Sequence, residues 1–155
     1  MNILVTGGSG FIGTNLSTDL LKEGHKVTIY DKQKSKTYPD LCIVGDIRDK
    51  EKLTRSMSGV DAVYHLAAEH RDDVHPASLY YEVNVGGAEN IVCALKKNDV
   101  KQFIFTSTVA VYGLNSGMTD EDSRNFIHNH LLNLPVERQS FSHIPFASSF
   151  LKQPI

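Results

Sequence analysis

An apolar stretch that breaks into glycines and then continues as a helix is the feature that most restricts the fold of this chain. Residues 1–13 read MNILVTGGSGFIG, so that a strand at 2–6 meets three glycines before a helix that begins near Phe11, and a fourth glycine lies in the first turn of that helix. Such glycines allow a tight turn, a close approach of the backbone to a pyrophosphate, and close packing of the helix on the strand. The stretch predicts a phosphate-binding turn between a strand and a helix. Three of its glycines have the spacing G-x-x-G-x-x-G: Gly7, Gly10 and Gly13.

Strands and helices alternate after this turn. Near-continuous apolar strands separated by helices indicate a parallel sheet that is covered on both faces. The predicted fold class is therefore α/β, a doubly wound and Rossmann-like parallel sheet. In such a sheet the ligand lies outside the carboxyl ends of the strands, where the strand order reverses, so that informative residues should directly follow strands. Further strands are predicted near 27–30, 41–44, 62–66 and 103–106, and helices near 11–23, 49–58 and 76–97.

An acidic residue at the end of the second strand bears on the choice of dinucleotide. Asp31 lies 18 residues after Gly13. A carboxylate there can accept hydrogen bonds from both hydroxyls of the adenosine ribose, whereas the 2′-phosphate of NADP would meet a like charge. The lysines that directly follow could neutralise such a phosphate: they are Lys32, Lys34 and Lys36. We expect dinucleotide binding and favour NAD over NADP.

Length, charge and composition exclude several classes of protein. The chain has 155 residues, 41% hydrophobic and 22% charged, which suits about one soluble domain. A net charge of -2 and a pI near 6.4 provide no basic field for nucleic acid or an anionic membrane. No apolar run approaches the roughly 18 residues of a membrane span, and a strand at residue 2 leaves no room for a signal peptide, so we expect a cytoplasmic protein. Two distant cysteines are expected to be buried thiols, and no Cys and His spacing predicts a metal site.

Five motifs in order over residues 1–113 give the chain a resemblance to a known family. On these motifs it resembles the extended short-chain dehydrogenase/reductase family of NAD-dependent sugar-nucleotide epimerases and dehydratases. The resemblance implies NAD as cofactor, a nucleotide-sugar substrate and a homodimer formed through the helix at 76–97. The motifs are TGGSGFIG at 6–13, GDIRD at 45–49, HLAAEH at 65–70, Asn84 within YEVNVGGAENI, and FTSTVAVYG at 105–113.

The resemblance also implies roles for single residues. The backbone of Phe11 and Ile12 would meet the pyrophosphate, and Thr108 matches the catalytic serine or threonine of the family. The remaining implied cofactor contacts are Asp46 and Ile47 beside the adenine, Leu66, Ala67, Ala68 and His70 along the middle of the cofactor, and Asn84 reaching toward it from the long helix.

Simpler interpretations of four of these residues stay open. Asp46 could be a surface turn or capping residue, and His70, in a charged segment, could be a solvated loop histidine. Asn84 lies within a predicted helix, where asparagine is a poor helix former, so it could instead have a packing or bridging role. Thr108 could merely end a strand.

The tyrosine and lysine of the family's chemistry are missing from the expected position. A tyrosine with its usual pKa near 10 needs an adjacent lysine to ionise near neutrality, and helical Y-x-x-x-K spacing places both on one face. The pair lies some twenty residues beyond the VYG segment in the family, but here no tyrosine follows Tyr112, and the only lysine after Lys101 is Lys152. Residues 124–155 have no glycine, four charged residues and three prolines. We predict a dinucleotide-binding domain at 1–123, truncated before the later strands and the substrate domain, and an atypical tail at 124–155.

Three origins of this tail remain open: a disrupted reading frame after about residue 123, a genuine short cofactor-binding protein, and a deliberate fragment. The expected function is that of the cofactor-binding half of an NAD-dependent nucleotide-sugar epimerase or dehydratase, inactive alone. The alternatives are a non-catalytic NAD(P)-binding module with a regulatory role and an inert fragment. Whether the chain is an enzyme is left open.

Overall fold

The first strand lies at the centre of a five-stranded sheet. The structure, a computed structural model, describes residues 1–71 and 73–107. The strand order is β3-β2-β1-β4-β5, and every neighbouring pair is parallel. The predicted Rossmann-like α/β fold is confirmed. The strands are β1 (Asn2–Thr6), β2 (Lys26–Asp31), β3 (Cys42–Val44), β4 (Ala62–His65) and β5 (Gln102–Phe105).

The order reverses between β1 and β4, because the chain moves outward from β1 to β3 and then returns to the other side of β1. The register pairs Thr6 with Tyr30 on one side and with His65 on the other. The residues that follow β1, β2 and β4 therefore emerge at one edge of the sheet. This edge is where a doubly wound sheet binds its ligand.

Two hydrophobic clusters cover the two faces of the sheet. Side chains alternate along β1, so that Leu4 points to one face while Ile3 and Val5 point to the other. Leu4 packs with a fully buried Leu53 and other residues of the helices after β3 and β4. Ile3 and Val5 pack with Leu20 of the first helix. The helices are α1 (Phe11–Lys22), α2 (Lys50–Ser56), α3 (Ser78–Tyr81) and α4 (Gly87–Lys97), with a π-helical turn (Glu82–Gly86) between α3 and α4 and a 3₁₀ turn at Pro39–Leu41.

The structure has the predicted helix over residues 78–97 and departs from the prediction in two respects. Pro76 and Ala77 form a turn before α3, since their carbonyls accept hydrogen bonds from Leu79 and Tyr80, three residues onward. The centre of the helix is π-helical, a geometry in which the hydrogen bonds span five residues and which a 3.6-residue apolar period does not reveal. The π-helical turn carries Asn84.

Other predicted boundaries shift by one or two residues. Leu41 belongs to the 3₁₀ turn and not to β3, and Leu66 follows β4 instead of ending it. Asp49 precedes α2 as its cap, because its carboxylate accepts a hydrogen bond from the Lys52 amide at 3.0 Å. The expectation of two buried thiols is also wrong: Cys42 is half-buried and Cys93 is exposed, since α4 turns Ile91 and Ala94 toward the core instead.

The compact unit that the structure describes extends from Met1 to Thr106. Thr108, the predicted boundary at residue 123 and the segment 124–155 lie outside the described residues. Each helix within 1–71 and 73–107 is too short or too polar to cross a membrane. The same part of the chain has no group of three His, Cys, Asp or Glu side chains that could hold a metal ion.

Candidate functional site

The glycine-rich turn after β1 contains glycines of two kinds. Gly7 has a φ of +70°, and a Cβ atom there would lie 2.7 Å from the Ala67 nitrogen. Gly13 is buried, and its Cβ would lie 2.5 Å from the Gly7 carbonyl oxygen. A Cβ on Gly10 would meet nothing nearer than 3.4 Å. The fold therefore requires glycine at 7 and 13, whereas a Cβ atom at Gly10 would make only an ordinary van der Waals contact.

Helix α1 begins with unpaired amides. Its first closing hydrogen bond runs from the Thr14 amide to the Gly10 carbonyl at 2.9 Å, and no acceptor among the described residues takes a bond from the amides of Phe11, Ile12 or Gly13. The side chains of Phe11 and Ile12 are 87% and 61% exposed. Free amides and the positive end of the helix dipole suit an anion such as a pyrophosphate.

The Asp31 carboxylate is held in a fixed orientation at the end of β2. Its Oδ2 accepts a hydrogen bond from the Ser9 amide at 3.0 Å, and its Oδ1 accepts one from the Gln33 amide at 2.9 Å. The Ser9 hydroxyl in turn donates to the Gln33 carbonyl at 2.8 Å. Each carboxylate oxygen keeps a further lone pair, so that the group can still accept two hydroxyl hydrogen bonds.

The segment after β4 carries a buried carboxylate. Glu69 is 4% exposed, and its Oε2 lies 3.2 Å from the Lys32 ammonium while its Oε1 accepts a hydrogen bond from Arg71 Nε at 3.2 Å. The Arg71 hydrogen bond, and after it the Lys32 hydrogen bond, outweigh burial and lower the pKa of Glu69 to about 2. Glu69 is therefore ionised at neutral pH and bridges two cations.

Asn84 clamps the same segment from the π-helical turn. Its Oδ1 accepts a hydrogen bond from the Glu69 amide at 2.8 Å, and its Nδ2 donates to the Glu69 carbonyl at 2.9 Å. Both polar groups of one residue's backbone are thus satisfied by one side chain. This arrangement is the bridging role that the sequence left open, and contact of Asn84 with a cofactor stays a prediction.

The segment after β3 forms a second wall. The Asp46 carboxylate accepts a hydrogen bond from Arg48 Nη2 at 2.7 Å. Arg48 Nη1 lies 3.1 Å from the Glu82 carboxylate of the π-helical turn. The hydrogen bond from the Arg48 side chain is the main cause that lowers the pKa of Asp46. Asp46 also accepts the Arg48 amide at 2.9 Å, so its side chain has the turn role that the sequence left open. Ile47 is 5% exposed and packs against Gly87.

These segments enclose a cavity of about 270 Å³ at the carboxyl edge of the sheet. Phe11, Ile12, Gly13, His70 and Asn84 do not line it, and His70 is exposed. Eight of the predicted cofactor residues line it: Gly7, Gly10, Asp31, Asp46, Ile47, Leu66, Ala67 and Ala68.

Further lining residues escaped the sequence analysis. Their one sequence signal is position, since most of them follow strand ends or belong to the glycine turn. Nothing in a single sequence marks which of those positions turn inward. They are Ser9, Tyr30, Gln33, Gly45, Arg48, Glu69, Leu79 and Val83, together with Lys32, for which the sequence predicts only a charge near Asp31.

Comparison with known proteins agrees with this geometry. The model of the NAD dependent epimerase/dehydratase family matches residues 3–130. The N-acetyl-alpha-D-glucosaminyl-diphospho-ditrans,octacis-undecaprenol 4-epimerase of Escherichia coli O157:H7 is 48% identical over 129 residues, which are 83% of this chain and 39% of that protein. A UDP-glucose 4-epimerase of Klebsiella pneumoniae is 36% identical over 129 residues, which are 73% of this chain and 93% of that protein.

Solved structures show the same likeness. A UDP-glucose 4-epimerase from Brucella ovis in complex with NAD has a TM-score of 0.74 at 28% identity, covering 85% of this chain and 46% of that one. The UDP-glucose-4-epimerase from Stenotrophomonas maltophila with bound NAD and formylated UDP-arabinopyranose has a TM-score of 0.74 at 25% identity, covering 86% and 48%. This chain thus spans less than half of both solved epimerases and of the E. coli relative. It belongs to the NAD-dependent epimerase/dehydratase family.

Proposed function

We propose that the chain binds NAD in this cavity and acts as the cofactor-binding part of a nucleotide-sugar epimerase or dehydratase. The observation that carries the proposal is the fixed Asp31 carboxylate, which shares a cavity with Gly7 and Gly10 of the turn that begins α1. Unpaired amides and an oriented carboxylate fit the two polar parts of the adenosine half of NAD, its pyrophosphate and its ribose.

The cavity and the adjoining first turn of α1 would each hold one part of the cofactor. The amides of Phe11 and Ile12 would bind the pyrophosphate, and Asp31 would accept the ribose hydroxyls. Leu66, Ala67 and Ala68 provide a small, weakly polar surface along the cavity, and we assign it to the middle of the cofactor. The preference for NAD follows from charge, because a 2′-phosphate would lie against the Asp31 carboxylate.

NAD supplies a nicotinamide that takes up and returns a hydride, but the proton must be moved by a side chain. Thr108 could orient a substrate hydroxyl, yet a threonine does not ionise near neutral pH. The sequence has no Y-x-x-x-K pair after Tyr112. We therefore propose that this chain binds its cofactor without turning over a nucleotide sugar by itself. The lack of a Y-x-x-x-K pair after Tyr112 is also what favours the second candidate, a non-catalytic NAD(P)-binding module that regulates a partner.

Calorimetric titration with NAD+, NADH and NADPH tests cofactor binding. Replacing Gly10 with leucine should weaken NAD+ binding at least about tenfold, or about 1.4 kcal/mol, because the side chain would fill the cavity without disturbing the fold. Gly86→Leu is the matched control, since a Cβ at Gly86 meets nothing within 4 Å and Gly86 does not line the cavity. Wild-type protein that binds none of the three cofactors would refute the proposal.

An assay with nucleotide sugars separates binding from catalysis. We expect no turnover by the chain in the presence of NAD+, and measurable epimerisation would contradict the second part of the proposal. A homodimer through the helical segment from α3 to α4 remains a prediction. Sedimentation equilibrium checks it, and a monomer at all accessible concentrations would contradict it.

A further inference from the structure

An ion pair joins two walls of the cavity. Lys32 directly follows Asp31 at the end of β2, whereas Glu69 follows β4, 37 residues later in the chain. The Lys32 ammonium lies 3.2 Å from Glu69 Oε2, and both residues line the cavity. The pair therefore brings a cation and its partner into the cavity that Asp31 also lines.

Glu69 is the fixed member of this pair. Its side chain is 3% exposed, while that of Lys32 is 58% exposed. Its second carboxylate oxygen accepts the Arg71 hydrogen bond, and Asn84 holds its backbone on both sides. Withdrawal of Lys32 would leave the buried Glu69 carboxylate with Arg71 as its one cation among residues 1–71 and 73–107, which is unfavourable. The buried, fixed carboxylate of Glu69 therefore holds the Lys32 ammonium in place by electrostatic attraction.

We infer that Glu69 determines cofactor specificity, because its carboxylate withholds the Lys32 ammonium from the 2′-phosphate that distinguishes NADP from NAD. This inference rests on the proposed function. A protein that accepts a 2′-phosphate needs a cation beside it. Lys32 is the one lysine among the described residues that line the cavity.

The other basic residue that lines the cavity is also engaged. Arg48 holds both Asp46 and Glu82. Lys34 and Lys36 are exposed and do not line the cavity. Discrimination against NADP thus has two components, repulsion by Asp31 and removal of the available cation by Glu69. A neutral residue at position 69 would leave the repulsion by Asp31 unchanged but would no longer hold Lys32 away from the 2′-phosphate.

Titration of the full chain with NAD+ and NADP+ at low ionic strength tests the inference. Glu69→Gln should strengthen NADP+ binding about fivefold, the gain expected of one exposed ion pair, and should leave NADP+ weaker than NAD+ because Asp31 remains. Adding Lys32→Ala to Glu69→Gln should remove the gain. Adding Lys34→Ala instead, a matched change at an exposed lysine, should retain it. The gain should also shrink as salt is added.

Three results would overturn the inference. One is a Glu69→Gln protein that binds NAD+ but has the wild-type affinity for NADP+. Another is a gain that persists when Lys32 is replaced. The third is a fivefold loss of NADP+ affinity in the single variant Lys32→Ala, in which Glu69 is unchanged. That loss would mean that Lys32 already binds the 2′-phosphate in the wild-type protein. Failure of the wild-type chain to bind either dinucleotide is a separate outcome, which refutes the proposed function as well.

Discussion

The buried histidine of β4 should make the stability of this protein depend on pH. His65 is 2% exposed, and its Nδ1 lies 2.7 Å from the Thr6 hydroxyl oxygen. Its ring stacks with that of Phe103 and packs at a tilt against that of Phe105. Burial lowers the pKa of His65 from 6.5 to about 4. The folded protein therefore holds this ring neutral over a range in which the unfolded chain protonates it.

The sign and the size of the effect follow from these two values. As the pH falls below 6.5, the unfolded state takes up a proton that the folded state refuses, so the free energy of unfolding decreases until the pH reaches about 4. The complete loss is about 3 kcal/mol, and about 2 kcal/mol of it falls between pH 7 and pH 5. This is a large part of the stability of an ordinary small domain.

Urea unfolding at pH 7 and pH 5 measures the loss. His65→Asn keeps a polar atom near Thr6 but loses the packing of the ring, so its unfolding free energy should be lower than that of wild type at both pH values. Because asparagine does not titrate in this range, the difference in unfolding free energy between pH 7 and pH 5 should be about 2 kcal/mol smaller than in wild type. His75→Asn, a change at an exposed histidine, is the control and should keep the wild-type dependence. An equal loss in wild type and in His65→Asn would show that other groups cause the acid sensitivity.

Two further predictions concern residues that support the site from outside the cavity. Gly13→Ala should destabilise the fold by about 1–3 kcal/mol, because its Cβ would collide with the Gly7 carbonyl, and thermal unfolding compared with Gly10→Ala checks this. A Gly13→Ala protein as stable as wild type would refute the close packing. Asn84→Ala should speed hydrogen exchange at the Glu69 amide about fivefold, because it removes that amide's acceptor, and unchanged exchange would contradict the clamp.

The fold and half of the site could be predicted because their signals are local. The apolar runs, the spacing of Gly7, Gly10 and Gly13, and the position of Asp31 after β2 all lie within short stretches of sequence. The ion pairs of the site join residues that are far apart in the sequence, so that no short stretch predicts them. Lys32 meets Glu69 across 37 residues, and Arg48 meets Glu82 across 34. A charged residue in a loop has the same local appearance whether it is solvated or paired.

The π-helical turn makes contacts with the segments that follow β3 and β4. It joins two α-helical segments of the long helix, and Asn84, Glu82 and Val83 all belong to it. Asn84 reaches the segment after β4, Glu82 reaches Arg48 after β3, and Val83 lines the cavity between them. One turn therefore positions both outer walls of the site relative to the sheet. A π-helical turn changes the direction of the side chains before it relative to those after it, so a 3.6-residue apolar pattern does not predict which residues of this segment face the site.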